Sequence, residues 1–121
     1  MRIHFLAIGL IVGFAVQPAA AADVNHGKQL FQACAACHGK DGKGGTLGPN
    51  LVGVVGRKAG TLDDFRYSNA MKRSNVVWDD GNLRAYVADP QAKVKGNRMP
   101  FSGIGNERDA EDIVAYLKTL K

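Results

Sequence analysis

An all-α domain is the fold the sequence predicts, and three observations predict it. Apolar residues recur at helical spacing near both ends of the chain, capping residues stand in front of several such runs, and alternating β-branched segments are nearly absent. With 121 residues, 45% of them hydrophobic and 22% charged, the chain has the length and composition of a single globular domain. A domain of this size is marginal on its own core and commonly needs a staple, a metal or a cofactor. The two cysteines are therefore the first residues to explain.

The N-terminus reads as a targeting segment. Met1 to His4 is a short positive region, Phe5 to Val16 is almost wholly apolar, and Gln17 to Ala22 ends in small residues. This is the pattern of a cleaved export signal over residues 1–22, with cleavage after Ala22. Gly9, Gly13 and Pro18 speak against a buried helix, and the apolar run is too short for a firm membrane span. The domain proper is then residues 23–121, and the setting is the periplasm.

The elements follow in order. Asn25 to Cys37 places Leu30, Phe31, Cys34 and Cys37 at roughly helical spacing, with Lys28, Gln29 and Gln32 on other faces. Lys40 to Gly60 is dense in glycine and reads as turns. Ser68 to Arg73 suits a short helix. Asp79 or Asp80 caps a further one that presents Leu83, Tyr86 and Val87 and stops before Pro90. Gly96 to Gly105 is loop. Asn106 followed by Asp109 marks the last helix start, and Ile113, Val114, Leu117 and Leu120 form its apolar stripe.

The decisive local feature is Cys34-Ala35-Ala36-Cys37-His38. Two thiols at this spacing can each add across one vinyl group of a haem, S–H across C=C, while the adjacent histidine offers its imidazole to the iron. A redox dithiol should sit beside a βαβ pattern, which is missing; a zinc site would have only His26 and distant acids to complete it. A plain disulfide with an incidental histidine is the remaining alternative. Export and a scant core both favour one covalently attached haem c per chain.

A second axial ligand is then expected opposite His38. A thioether there favours reduced iron and raises the potential. Beyond the leader the chain has only Met71 and Met99. Met71 falls in a short helix, whereas Met99 lies in a Gly-Asn-Arg-Met-Pro-Phe loop where Pro100 can hold the side chain inward. His38 and Met99 are accordingly the expected metal ligands, against the plainer reading of Met99 as core filler.

From Gly27 to Leu120 the chain resembles the class I cytochrome c family, in particular its mitochondrial cytochrome c and bacterial cytochrome c2 branch. The residues that carry the likeness are Gly27 and Phe31, Cys34-Cys37-His38, Gly48-Pro49-Asn50-Leu51, Gly53, Gly56-Arg57-Lys58, Phe65, Tyr67, Ser68, Ala70, Trp78, Lys95 to Phe101, and Ile113, Ala115, Tyr116 and Leu117. The resemblance implies a small fold of helices and loops wrapped around one haem. It implies that the Pro49 carbonyl accepts from the free nitrogen of His38. It places Arg57, Tyr67 and Trp78 at the haem propionates, although Arg57 beside Lys58 also suits a solvated face and the two aromatics an ordinary core. It sets Tyr86 and Asn97 near the axial methionine, and Gly27 opposite Tyr116 where the first and last helices cross. Two departures stand out: spacing around the Cys-His motif is shorter than in the mitochondrial branch, and Met71 occupies a position that is often asparagine.

Two axial ligands leave no open coordination site, and no nucleophile and base pair for hydrolysis or group transfer is evident. The expected function is a one-electron carrier rather than an enzyme, with the redox chemistry belonging to the cofactor. The resemblance implies membrane redox complexes as partners: a quinol-cytochrome c reductase as donor, and a terminal oxidase or photosynthetic reaction centre as acceptor. Lys28, Lys40, Lys43, Lys72, Arg73, Lys93, Lys95 and Arg98 fall in segments that surround the haem edge, while Asp109, Glu111 and Asp112 cluster elsewhere, which suits transient electrostatic docking by a monomer. A net charge of +5 with no recognition motif argues against nucleic acid. The alternative is a ligand-binding haem module that senses a gas or acts as a weak peroxidase.

Overall fold

The computed structural model describes residues 9–121. The first part of the expected export signal, residues 1–8, lies outside the described residues; residues 9–22 carry no helix and are exposed. No helix of the described residues is long and apolar enough to cross a membrane.

Six short helices follow: α1 (Val24–Leu30), α2 (Gln32–His38), α3 (Asn69–Arg73), α4 (Asp80–Ala88), α5 (Pro90–Lys93) and α6 (Glu107–Leu117). Among the described residues no strand forms, and β pairing is limited to one antiparallel bridge between Lys58 and Val77. The all-α expectation therefore holds. Five helices start on a side chain that satisfies an otherwise orphaned amide at the third helical position. Asp23 accepts from His26, Ser68 from Met71, Asp79 from Asn82, Asp89 from Ala92 and Asn106 from Asp109, all at 2.8–3.1 Å.

Two details differ from the sequence reading. The stretch Pro90–Lys93, to which the sequence reading assigned no element, is a helix of its own, because Asp89 caps it and Pro90 occupies the first turn, where its missing N–H is no loss. The close approach at Gly27 is not to Tyr116 but to the backbone of Asp112 and Ile113. Tyr116 packs instead on Phe31, ring centroids 5.1 Å apart. The reason is register: α1 crosses α6 one turn before Tyr116, and the aromatic fills the space beside the crossing.

The core runs from that crossing to the centre of the molecule. Phe31 and Ile113, each about 1% exposed, pack with Val114, Tyr116 and Leu117, and continue through Leu83 and Tyr86 of α4 to Trp78 and Val54. The loops pack on this framework rather than on each other alone. Backbone bonds from Ala59 to Val76, from Trp78 to Arg57 and from Gly56 to Trp78 dock residues 56–59 against 76–78.

Candidate functional site

A cavity of about 500 Å³ opens within this framework, a volume suited to a sizeable organic ligand. Cys34, Cys37 and His38 at the end of α2 line it on one side, and Met99 lines it from the loop after α5. Phe31, Leu51, Val54, Leu83 and Ile113 make much of the wall apolar, and Arg57, Tyr67, Trp78 and Tyr86 complete it. Every site residue expected from the sequence, Pro49 and Asn97 included, lies on this one cavity.

The histidine is held in a definite tautomer. Its Nδ1 lies 2.8 Å from the Pro49 carbonyl oxygen, which can only accept, so Nδ1 bears the proton and Nε2 keeps its lone pair. Burial pushes the His38 pKa down, partly offset by the bond to Pro49, so the ring is a neutral donor at pH 7. Gly48 makes this approach possible. A Cβ there would stand 2.9 Å from the Cys37 carbonyl oxygen and 3.0 Å from His38 Nδ1.

The cysteines are both free and half-buried. Burial, and then the charge of Cys37, push the Cys34 pKa up. A redox dithiol needs the opposite, a thiol whose thiolate is favoured, so the environment disagrees with that alternative.

Met99 is positioned by its backbone. Asn97, 7% exposed, accepts the Met99 N–H through Oδ1 at 2.9 Å and donates through Nδ2 to the carbonyls of Pro90 and Val94 at 3.0 and 2.9 Å. Both Asn97 amide protons are thus spent on α5 and its end. The sequence reading set Asn97 near the axial methionine; its three hydrogen bonds make it the strap of the Met99 loop.

Arg57 and Trp78, which also line the cavity, are set beside each other by the Lys58–Val77 bridge. Arg57 donates from Nη2 to the Asn50 carbonyl at 2.5 Å, and burial pulls its pKa down without removing its charge at neutral pH. Tyr67 meets Phe65 edge-on at 5.0 Å, and Trp78 packs on Tyr86 at 4.9 Å. Met71 is buried and lines the cavity. Arg66 also lines the cavity, and its carbonyl accepts from the Arg98 guanidinium. Sequence reasoning missed Arg66, although its place between the aromatic residues Phe65 and Tyr67 was a usable signal.

A single haem fits what is here: a largely apolar cavity, two free thiols on one helix, a neutral imidazole with a free nitrogen, and a thioether from the loop after α5 on the same cavity. This combination defines a small helical c-type haem protein. The comparisons agree. The family described as Cytochrome c matches residues 24–121. The cytochrome c2 of Blastochloris viridis is 41% identical over 115 residues, covering 93% of this chain and 91% of that protein. That of Rhodoblastus acidophilus is 45% identical over 103 residues, covering 84% and 95%. The solved structure of cytochrome cH from Methylobacterium extorquens superposes with a TM-score of 0.75 at 44% identity, covering 81% of this chain and 99% of that one.

The chain belongs to the cytochrome c family. It is an electron-transfer protein and not an enzyme, with Cys34 and Cys37 in the position expected for attaching one haem c.

Proposed function

We propose that this chain is an exported periplasmic carrier that passes single electrons between membrane redox complexes, with iron held between His38 and Met99. The observation that carries the reading is the His38–Pro49 bond, which leaves Nε2 free in the same cavity that Met99 and both cysteines line. When bound, the haem supplies a reversible one-electron couple. The chain's own residues do the rest. Cys34 and Cys37 tether the cofactor, Pro49 fixes the His38 tautomer, and Asn97 holds the Met99 backbone. Arg57, Tyr67 and Trp78, which line the cavity, bind the propionates and lower their charge cost, and Tyr86 shapes the pocket beside the axial sulfur. The apolar wall excludes water and favours the less charged reduced state.

Lys28, Lys40, Lys43, Lys72, Arg73, Lys95 and Arg98 are exposed, Lys93 is half-buried, and none of the eight is in an ion pair among the described residues. They remain available to steer the protein to an acidic face of a quinol-cytochrome c reductase, and then of an oxidase or photosynthetic reaction centre. The exposed acidic group on α6 is smaller than the sequence implied, because Asp112 is buried and paired internally. The carrier acts as a monomer.

Visible spectra of the purified holoprotein, oxidised and dithionite-reduced, with and without carbon monoxide, test the reading. Low-spin c-type bands, a methionine-to-iron charge-transfer band and no response to carbon monoxide are expected. A high-spin spectrum or rapid carbon monoxide binding would reject Met99 ligation and favour a ligand-binding haem module.

A further inference from the structure

The electron-transfer reading leaves one buried charge unused. Asp112 of α6 is 2% exposed. Its Oδ1 accepts the Asp23 N–H at 2.7 Å, its Oδ2 lies 2.8 Å from His26 Nδ1, and Arg108 Nε stands 3.8 Å away. A buried carboxylate requires such partners, since each oxygen left bare would be destabilising. The nitrogen on Oδ1 has a special place in the chain. It belongs to the Ala22–Asp23 peptide bond, where the sequence pattern places the end of the leader.

We propose that Asp112 is the receptor for a primary α-ammonium group, the one created at Asp23 when the leader is removed. This rests on the export reading above. Hydrolysis by a leader peptidase adds water across the Ala22–Asp23 bond: the C–N bond breaks, Ala22 departs with a carboxylate, and the Asp23 nitrogen gains protons to become an ammonium. A neutral amide donor thereby turns into a charged one without leaving its acceptor.

The nitrogen stays in place because other contacts fix Asp23. Its side chain caps α1 through the His26 N–H at 3.0 Å, and its carbonyl accepts from Gly27 at 2.9 Å. Gly27 in turn lies against the Asp112 backbone, so α1 cannot slide along α6. The charged groups around this contact are the Asp23 carboxylate that caps α1, His26 of α1, and Asp112 of α6 with Arg108 beside it and Asp109 beside His26. Three carboxylates stand against one permanent cation and one histidine. An added ammonium brings the permanent cations to two, and a protonated His26 makes the third.

Arg108 fits the same picture. It now donates to the carbonyls of Ala20 and Ala21, at 2.8 and 2.5 Å, directly upstream of the bond to be cut. Once those residues leave, its guanidinium retains Glu111 at 3.6 Å and Asp112 at 3.8 Å. A cation at the start of α1 is unfavourable to the helix dipole, but that effect is weaker than a charge-assisted bond to a buried carboxylate. The bond between the start of the first helix and the last helix is already made before cleavage; only in the processed chain does it become charge-assisted on the donor side.

Mass spectrometry of the exported holoprotein comes first. A first residue other than Asp23 overturns the cleavage position and, with it, the proposal for the natural protein. A holoprotein released from a tag to begin at Asp23 then tests the receptor separately. There the α-amine should hold its proton at least about tenfold more tightly than an ordinary one, whose pKa is about 7.7–8.0, and Asp112→Asn should return it to that range. Transamination of the Asp23 amine to a carbonyl needs no substitution in the core. It should lower the folding equilibrium constant by about tenfold and leave the visible spectrum unchanged. An amine of ordinary affinity beside an intact Asp112, or a transaminated protein as stable as its parent, would overturn the proposal.

Discussion

Asn97 joins the loop that carries Met99 to the segment before it: one side-chain oxygen takes the Met99 N–H at 2.9 Å, while both amide protons go to the carbonyls of Pro90 and Val94. Asn97→Leu keeps the bulk and removes all three bonds. Leaving buried backbone groups unpaired should destabilise the protein by at least about 2 kcal/mol. The loss should be local first. In rising guanidinium, the methionine-to-iron band should vanish well before helicity does; a simultaneous loss would show that Asn97 does not act on the Met99 loop in particular.

Met99→Ala removes the thioether without disturbing the strap. The sixth position should open, the potential should fall, and carbon monoxide should bind the reduced protein readily. Redox titration and carbon monoxide difference spectra measure both. Unchanged potential and spectra would remove Met99 from the ligand set.

Gly27→Ala tests the helix crossing. A Cβ on residue 27 would lie 1.9 Å from the Asp112 carbonyl oxygen and 2.5 Å from its carbon, distances that only a backbone shift can relieve. Overpacking against backbone should destabilise by about 3 kcal/mol or more, at the upper end for such insertions. Denaturant unfolding of the holoprotein gives the number. A difference below about 1 kcal/mol would mean that α1 and α6 slide apart freely.

Much of this was legible in the sequence, for identifiable reasons. The Cys34, Cys37 and His38 motif and the Met99 loop are local patterns whose chemistry does not depend on the remainder of the fold. N-caps were readable at Asp79 and Asn106 because a short polar residue precedes an apolar period. What could not be read was register. Periodicity shows that α1 and α6 each have an apolar face, but not which turn of one meets which turn of the other. Gly27 was therefore set against Tyr116 instead of Asp112, and Asp112 was counted among surface acids. Its partner His26 was dismissed for lacking nearby acids in sequence; the helix crossing brings Asp109 and Asp112 to it across more than eighty residues. Asn97 was placed near the axial methionine, but its hydrogen-bond partners were not legible, since their direction is decided by the turn at the end of α5.

The His26–Asp112 pair predicts a pH window. Its hydrogen bond to Asp112 chiefly raises the His26 pKa, and the same bond chiefly lowers that of Asp112. The histidine contribution is complete below the unfolded-state value near 6.5 and is lost as pH rises through the higher folded value. The aspartate contribution is present above its unfolded value near 3.9 and is lost as pH falls through the lower folded value. Stability from the pair should therefore be greatest between roughly pH 4 and 6.5. His26→Gln should flatten the profile above that window. Thermal unfolding across the range, at fixed salt, would expose a profile identical to the parent's and so dispose of the coupling.

Tyr86 supplies the last test, at the other end of the pH scale. Its ring packs on Trp78 at 4.9 Å inside the cavity, and burial pushes its phenol up to about 12. The neutral form is the one the folded protein prefers. The associated stability is present below the unfolded value near 10 and is lost only as pH rises through the folded value. Ultraviolet titration of the holoprotein should thus show one phenol that stays un-ionised until the protein begins to unfold, and Tyr86→Phe should delete that late component alone. The substitution should change stability by less than about 1 kcal/mol, because it keeps the ring and its apolar contacts. An axial-band change at milder alkaline pH must then begin with another group. A Tyr86 phenol that ionises near 10 in the folded protein would instead mean that water reaches this wall of the cavity, and the dry pocket beside Met99 would have to be given up.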